Sequence, residues 1–368
     1  MTMQLDMLWS FLVISKEKWT DIRKARKQLL YQALAKRPDV NQITYVNRHR
    51  YWWRERLNKK GEKGLEKIRV WELYLPFPGE RWEWVRVLNR NLIGKRLNCF
   101  WREEGKKVVF FYHPWDVPTI KTFKEKALVI FDWTEDWISF YGDREIAKWQ
   151  QMALEISDGV VTVTHELYSR AKDYNSKLLL LPNASALPIQ EVPFAEDPRL
   201  VQLRHPRIGY IGHVGPWFDG QLVNELSNLL KNCEFILIGG VSDKWEKILV
   251  GKNIKFLGTV SLQELPGLLS SMDVLIAPYI ESFSGDATKI YDYFTTGKPI
   301  VSSFIPSSER FRHVVTFVPR DVYAWQSAIL QAINEKETSL RLARLEEAKL
   351  HTWRVRASQL VVWLSSFF

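Results

Sequence analysis

Cysteine is scarce in this chain of 368 residues, and long apolar runs are missing from it. Cys99 and Cys233 lie far apart, which excludes a disulfide framework and a zinc-ribbon pattern. No segment approaches the roughly 20 apolar residues that a membrane-spanning helix needs. The apolar run Leu8–Ile14 is short, follows no basic residue and precedes charged ones. We therefore expect no secretory leader, and a cytosolic, reducing location.

Ligand patterns for metals and dinucleotides are missing as well. The histidines show no metal-ligand spacing, so we predict no metal site; those considered are His49, His205, His313 and His351. The glycines of the segment Gly209–Gly215 follow a predicted strand, but their spacing is not G-x-G-x-x-G. They could let a ligand approach the backbone closely, or simply form a tight turn between strand and helix, and the two alternatives are equally compatible with the spacing.

The balance of 46% hydrophobic and 26% charged residues is typical of a globular protein. The length suits two domains of about 150 residues or a little more. The net charge of +10 is unevenly distributed. Residues 1–110 carry 25 Lys and Arg against 12 Asp and Glu, whereas the remainder carries 27 against 30. The first third of the chain should therefore attract anions, such as phospholipid head groups, a nucleic acid or an acidic polymer.

Apolar strands alternate with helical stretches along the whole chain, which predicts parallel α/β units. In the first half we predict a helix over about 18–36 and strands at 8–14, 43–46, 108–112, 127–131, 160–163 and 178–181. Prolines at 188, 193, 198 and 206 then predict an interdomain linker. A second series follows, with strands at 207–211, 235–238, 254–257, 274–277 and from 299, and helices at 222–230, 262–270, 287–296 and from about 322.

The strongest local pattern is a small, polar loop that runs into a helix over Ser282–Tyr293. Backbone N–H groups at such a helix start can hold phosphate, and Lys289 adds a positive charge in the first turn. Asp292 follows three residues later, where a carboxylate could bind ribose hydroxyls, so the pattern suits a nucleoside diphosphate. The spacing alone slightly favours an ordinary amphipathic helix, with Asp286 as its N-cap and an ion pair between Lys289 and Asp292.

A second group of polar residues follows two strand ends of the first half. His113, Asp132, Glu135 and Asp136 could bind acceptor hydroxyls or move a proton, because ligands of parallel sheets collect at the carboxyl ends of strands. The alternative is a set of solvated loop acids and a histidine packed on Trp115. For any one of these residues alone, that alternative is favoured.

Residues 48–107 mix basic and aromatic side chains. Aromatic rings favour the lipid head-group level and Lys and Arg attract anionic lipid, so we expect contact with an anionic membrane surface. A solvated basic face with tryptophans in the core is the next alternative. Single-stranded nucleic acid would use the same residue types, but we place it last because the second half is acidic.

Several motifs occur in the order and spacing of GT-B glycosyltransferases. Residues 208–219 read IGYIGHVGPWFD, residues 273–278 read DVLIAP and residues 288–301 read TKIYDYFTTGKPIV. Further matching segments are 235–240, 254–259, 265–266, 157–167, 180–183, 351–356 and the helix with Trp19, Arg23 and Arg26. The chain resembles this family over nearly its whole length, and most closely its bacterial cell-surface polysaccharide branch of teichuronic-acid type.

The resemblance implies two Rossmann-like domains with parallel sheets facing across a cleft, and a C-terminal helix that crosses back to the first domain. The boundaries it suggests are 1–186 for the acceptor-side domain, 187–206 for the linker, 207–345 for the nucleotide-sugar domain and 346–368 for the returning helix. It implies a UDP- or GDP-linked sugar as donor substrate, no cofactor and no metal, and a lipid-linked or polysaccharide acceptor.

The resemblance also implies roles for single residues. Lys289 and the helix start at Thr288 would hold the diphosphate, and Asp292 would bind ribose. Gly212 and His213 would lie under the phosphates or the sugar. The remaining candidates are Gly239 and Thr259 near the nucleoside, and His113, Asp132 and Glu135 as catalytic residues on the acceptor side.

Two departures from the family pattern concern the donor site. Retaining members often carry two Glu eight positions apart, and here those positions are Ser284 and Asp292. The usual basic residue after the first strand of the second domain is missing, and Trp217–Asp219 stands there. Lys289 would then carry more of the phosphate charge.

The sequence therefore predicts a retaining, metal-independent glycosyltransferase at the inner face of the cell membrane. Two rivals stay open on the same fold. One is a non-catalytic protein that binds nucleotide sugars or glycans, and the other is a nucleotide-sugar epimerase.

Overall fold

The chain divides into two compact units, each with its own parallel sheet. The computed structural model describes residues 8–15, 17–19, 26–51, 66–141, 144–280 and 285–368. The first unit holds residues 1–182 together with 353–368, and the second holds residues 183–352.

In the first unit the described residues form one sheet of seven strands, all paired in parallel, in the order β3-β2-β1-β4-β5-β6-β7. The strands are β1 (Trp9–Ile14), β2 (Val40–Tyr51), β3 (Ile68–Leu75), β4 (Lys106–Phe111), β5 (Leu128–Trp133), β6 (Gly159–Thr162) and β7 (Leu178–Leu180). The α-helices between them are α1 (Arg26–Ala35), α2 (Glu83–Phe100), α3 (Val117–Lys121), α4 (Trp137–Tyr141), α5 (Arg144–Ile156) and α6 (His165–Ala171).

In the second unit the described residues form a six-stranded parallel sheet in the order β10-β9-β8-β11-β12-β13. The strands are β8 (Arg207–Ile211), β9 (Glu234–Ile238), β10 (Ile254–Gly258), β11 (Val274–Ala277), β12 (Ile300–Ser303) and β13 (Thr316–Val318). The helices are α7 (Gly220–Leu229), α8 (Asp243–Ile248), α9 (Leu265–Ser270), α10 (Thr288–Phe294), α11 (Val322–Ile333) and α12 (Thr338–Leu350).

Both sheets have the strand order of a doubly wound Rossmann fold. The central strands β1, β8 and β9 are buried over their whole length, because helices cover both faces of a parallel sheet. The predicted class of two Rossmann-like α/β domains is therefore confirmed. The structure also contains β3 and α2 within residues 47–107, where the sequence pattern predicted neither.

The last α-helix, α13 (Trp353–Leu364), belongs to the first unit, although the preceding helix α12 belongs to the second. Leu360 of α13 is fully buried, and Arg37 beside α1 donates to the Ser358 hydroxyl at 2.9 Å. Arg356 donates to the carbonyl of Pro182 at 2.9 Å. The chain therefore returns to its first unit, as the resemblance implies.

The proline-rich segment predicted as a linker over 187–206 packs within the second unit instead. Gln190 donates through its backbone N to Thr295 O at 2.7 Å and through its side chain to Pro266 O at 3.1 Å. Leu187 and Leu200 are buried. Prolines prevent regular secondary structure here. The apolar side chains of the segment are nevertheless buried, and its polar groups form hydrogen bonds.

The helix predicted over about 18–36 is described as Arg26–Ala35, and residues 20–25 lie outside the described residues. The predicted strand 43–46 is longer and covers Val40–Tyr51. Within the described parts of the chain, no helix has both the length and the apolar character needed to cross a bilayer.

The returning helix α13 gives a prediction about stability. Leu360→Ala should lower the free energy of unfolding by about 2–5 kcal/mol, because it leaves a cavity in a buried interface. Val362→Ala on the same helix is the control, since Val362 is 72% exposed and should cost little. Urea denaturation monitored by circular dichroism measures both. An unchanged free energy of unfolding in Leu360→Ala would contradict the packing of α13 on the first unit.

Candidate functional site

The candidate site of the second unit lies where its strand order reverses. β8 and β11 are neighbours in the sheet, and their connections run to opposite sides. In open α/β sheets this point leaves a crevice at the carboxyl ends of the strands, where ligands bind. Gly212 directly follows β8, and Tyr279 lies two residues after the end of β11.

Lys289, the second residue of α10, reaches this point with its ammonium group. Nζ donates a hydrogen bond to Tyr279 Oη at 3.2 Å. The same atom lies 5.1 Å from the ring centre of Tyr210 and 4.8 Å from that of Tyr279, within the range of cation–π attraction. Lys289 is only 9% exposed. The two tyrosines therefore hold a buried positive charge at the end of β8.

Two glycines allow the backbone to approach this charge closely. A Cβ atom on Gly212 would lie 2.9 Å from Lys289 Cε, and a Cβ atom on Gly239 would lie 2.2 Å from the Gly212 carbonyl oxygen. Both residues have a positive φ, of +130° and +136°. Gly239 in turn donates to the carbonyl of Gly258 at 2.7 Å. The turns after β8, β9 and β10 are thus layered against each other without side chains between them.

His213 follows Gly212 and presents an unusual polar atom. Its Nδ1 is buried and has no hydrogen-bond partner within the part of the chain that the structure describes. Its carbonyl accepts from the Tyr210 hydroxyl at 3.0 Å, and its ring lies edge-on to Trp217 with the centres 5.9 Å apart. Buried polar atoms usually have a hydrogen-bond partner. Because Nδ1 has none among the described residues, it is available to a ligand in this crevice.

Asp292 lies one turn further along α10 and is held by the segment before β8. Its Oδ1 accepts a hydrogen bond of 2.5 Å from the Ser185 hydroxyl. Burial raises the pKa of Asp292 to about 6, although the Ser185 hydrogen bond and the charge of Lys289 oppose this shift. For Lys289, burial lowers the pKa to about 8, and the charge of Asp292 offsets part of the effect.

The alternative of an ordinary helix capped by Asp286 is wrong. The N-cap residue of α10 is Ala287, and no side chain caps the helix. The Asp286 carboxylate instead accepts from the backbone N of Asn183 at 2.7 Å and from the Tyr291 hydroxyl at 2.9 Å. The ammonium of Lys289 donates to Tyr279 rather than to Asp292.

The predicted residues of the second half fall into two groups. Gly212, His213, Gly239 and Lys289 meet at the reversal of strand order. Thr259 and Thr288 are exposed, at the end of β10 and at the start of α10. Ser282 and Ser284, of the loop before α10, lie outside the described residues.

In the first unit, Asp132 is not an open carboxylate. Its side chain is completely buried, and its oxygens accept from Arg26 Nε at 3.2 Å and Arg26 Nη2 at 3.3 Å. The Arg26 guanidinium lies 5.9 Å from the ring centre of Trp353 on the returning helix α13. We expected Asp132 to face an acceptor, but the structure places it as the counterion of Arg26.

His113 and Glu135 differ in exposure. His113 is buried between Trp115 and Trp137, with ring centres at 4.8 and 4.5 Å, and its Nδ1 accepts from the backbone N of Trp115. This is the packed histidine of the alternative interpretation. Glu135 is exposed in the loop after β5. Asp136 pairs with Arg170 at 2.9 Å, and hydrogen bonds from Arg170 and Ser139 lower the pKa of this carboxyl despite its partial burial.

Sequence reasoning missed Tyr210, Tyr279 and Ser185. Tyr210 lies in the apolar run of β8, and Tyr279 follows a proline, so neither appears polar in the pattern. Ser185 lies 107 positions from Asp292, and no local spacing connects them. Among the residues that the structure describes, no group of three or more His, Cys, Asp or Glu side chains could hold a metal ion.

Comparison with known proteins relates the second unit to a family model and the whole chain to solved structures. Residues 205–335 match the family model described as glycosyl transferases group 1. This segment contains β8 to β13 and every second-unit residue of the candidate site except Ser185. No curated protein matches the chain.

Solved structures resemble the whole chain. The sucrose-phosphate synthase from Thermosynechococcus elongatus is 13% identical with a TM-score of 0.74, and the match covers 98% of this chain and 99% of that one. The protein HepE from Anabaena, in complex with UDP and glucose, is 13% identical with a TM-score of 0.69, covering 98% and 100%. The lipopolysaccharide outer core galactosyltransferase WaaB, without ligand, is 11% identical with a TM-score of 0.63, covering 98% and 100%.

These matches confirm the predicted GT-B fold and the resemblance to group 1 glycosyltransferases. The teichuronic-acid-type branch stays a prediction.

The layered glycines give a prediction about folding. Gly239→Ala should lower the free energy of unfolding by at least about 3 kcal/mol, because it combines a positive φ with a clash against a carbonyl. Gly258→Ala is the matched control. Gly258 has a φ of +70° and nothing within 4 Å of the added methyl group, so its cost should be about 1 kcal/mol. Equal costs, measured by urea denaturation, would contradict the close approach of the two turns.

Proposed function

We propose that this chain, whose residues 205–335 match the group 1 glycosyl transferase model, transfers a sugar from a nucleoside diphosphate donor to a glycan acceptor. The observation that carries the proposal is the buried ammonium of Lys289 at the reversal of strand order, next to the Gly212 backbone. A buried cation that donates to a tyrosine hydroxyl and lies near two tyrosine rings is poised for an anionic ligand.

The donor diphosphate would bind against this ammonium. Because Gly212 and Gly239 carry no side chains, the backbone leaves room for phosphate oxygens beside Lys289 Nζ. When the bond between sugar and diphosphate breaks, negative charge builds on the leaving diphosphate. A desolvated ammonium stabilises this charge more strongly than the same group in water, which lowers the barrier.

The rest of the donor would contact the neighbouring strand ends. We assign His213 Nδ1 to the sugar or the phosphates, and Gly239 and the exposed Thr259 to the nucleoside. Asp292 would bind ribose hydroxyls, with Ser185 holding its carboxylate in place, and Thr288 would add a contact to the diphosphate. UDP is the first donor nucleotide to test, because the similar HepE protein was solved with UDP and glucose.

The acceptor would be a lipid-linked saccharide or a polysaccharide of the cell envelope. Support comes from the similarity to WaaB, described as a lipopolysaccharide outer core galactosyltransferase, and from the positive charge of residues 1–110. Glu135, which is exposed, is the candidate for orienting the acceptor hydroxyl, whereas His113 is packed between two tryptophans. Asp132 would act through Arg26, as a positioning residue. Retention, independence from metals and a location on the inner face of the membrane follow from the family resemblance.

Removal of the ammonium should abolish donor binding. With wild-type protein, saturating UDP should raise the melting temperature by mass action, and Lys289→Ala should remove this shift. Lys244→Ala is the matched control, because Lys244 also lies over an aromatic ring, that of Trp245 at 4.7 Å, but is exposed and lies outside the site. A full UDP shift in Lys289→Ala would contradict the proposed site.

The pH dependence of binding should follow Lys289. With a pKa of about 8 in the free protein, UDP affinity should fall above pH 8 and approach a tenfold loss per pH unit. This pKa lies below the usual 10.5, so deprotonation of Lys289 by itself stabilises the fold over that interval. Titration of UDP at pH 7 to 10 measures the effect. An affinity that does not change over this range would contradict it.

A second function, binding without transfer, has one observation in its favour. The Asp292 carboxylate is already bonded to Ser185, and Ser284 takes the place of a second acid. Incubation with UDP-glucose and a panel of saccharide acceptors distinguishes the two functions, because a binding protein would give the melting shift and release no UDP.

A further inference from the structure

Helix α2 (Glu83–Phe100) has a broad apolar arc, and only part of it packs into the first unit. Val85, Ile93 and Leu97 are buried. Beside them, Trp84 is 68% exposed, Leu88 39% and Leu92 37%. These three residues follow a spacing of four, so they form one stripe along the outer face of the helix. A stripe of this kind is costly to leave in water.

The loop before α2 extends the same apolar surface. Trp82 is 48% exposed and Phe77 is 47% exposed. The guanidinium of Arg81 lies 4.3 Å from the ring centre of Trp82, so the loop presents a stacked basic and aromatic pair. Trp82 also covers Gly79, where an added Cβ would meet its ring at 2.7 Å, which keeps the indole beside the helix start.

The charges on this surface are predominantly positive. Lys95 and Arg96 are exposed near the end of the helix, and Arg81 is exposed at its start. The two acids of the region have basic neighbours: Glu80 pairs with Arg90 at 2.7 Å, and Glu83 lies 3.6 Å from Lys148. The surface therefore offers an apolar stripe together with cations that can reach an anionic partner.

We propose that α2 and the loop before it form a docking surface for an anionic phospholipid bilayer. We call it the α2 surface; it comprises Phe77, Arg81, Trp82, Trp84, Leu88, Leu92, Lys95 and Arg96. Indole rings prefer the head-group level, and each Lys or Arg near an anionic leaflet adds to the attraction. The combination of stripe and charges is typical of a helix that lies in the plane of the interface.

Charge complementarity selects lipid over a second copy of this chain. Two copies meeting at the α2 surface would bring like charges together, which is unfavourable, whereas an anionic leaflet neutralises them. With 18 residues at about 1.5 Å each, α2 is roughly 27 Å long and could rest flat on the head groups. The inference rests on the membrane location in the proposed function, but not on the transfer activity.

Cosedimentation with vesicles tests the α2 surface. Wild-type protein should bind vesicles of phosphatidylcholine mixed with phosphatidylglycerol and bind pure phosphatidylcholine weakly, and salt should weaken the binding. The double variant Trp84→Ser and Leu88→Ser should lose at least about tenfold in partitioning, because both side chains leave the interface. Lys95→Glu with Arg96→Glu should remove the preference for the anionic lipid.

Matched variants on the second unit control for general effects on the surface. Tyr323 is 68% exposed and Leu330 43%, so Tyr323→Ser with Leu330→Ser removes similar apolar area elsewhere. Lys231→Glu with Lys252→Glu makes the same change of charge at exposed positions. Both controls should bind vesicles like the wild type. Retention of the UDP-induced melting shift in every variant shows that the chain is folded and the donor site intact.

Four results would overturn the inference: no vesicle binding by the wild type, equal binding to both lipids, unchanged binding in the α2 variants, or equal loss in the controls. A wild-type dimer in lipid-free buffer that the Trp84 and Leu88 variant converts to a monomer would also overturn it, in favour of a second copy. The donor-site assignment can fail separately, since Lys289→Ala should bind vesicles normally.

Discussion

The candidate site of the second unit depends on the burial of one ammonium group, that of Lys289. Lys289 Nζ lies among the rings of Tyr210 and Tyr279 and beside the Gly212 backbone. A pKa lowered from 10.5 to about 8 means that burial destabilises the charged form relative to the neutral form by roughly 3 kcal/mol. Cation–π attraction offsets part of this cost but does not remove it. An anionic ligand would recover the remainder, so the same burial that destabilises the charged lysine gives binding energy to a diphosphate.

The sheet order explains why the charge lies where it does. β8 and β11 are adjacent, and their connections leave on opposite sides, so no helix closes the crevice at their carboxyl ends. Gly212 and Gly239 let neighbouring turns stack without side chains, and α10 brings Lys289 over them. In the first unit, Asp132 near the carboxyl end of β5 is buried against Arg26, so this charge is paired within the protein.

The sequence predicted the features that depend on local pattern. Runs of apolar residues predicted the strands, glycines after them indicated Gly212 and Gly239 as site candidates, and a polar loop that runs into a helix indicated Lys289. Contacts between positions distant in the sequence could not be predicted from local pattern, as the pairing of Arg26 with Asp132 over 106 positions shows. Tyr210 was missed because a tyrosine in an apolar strand looks like core. The segment 187–206 was assigned to a linker because prolines report the absence of regular structure, not the absence of packing.

Calorimetry of UDP binding at pH 8, in two buffers with different ionisation enthalpies, tests the role of Lys289 most directly. Near its pKa the ammonium is about half protonated in the free protein, and a bound diphosphate should complete the protonation. The account predicts uptake of about half a proton for each UDP bound, less the small release from the phosphate itself. Binding with the same heat in both buffers would contradict the claim that a buried, partly deprotonated Lys289 is the counterion of the donor.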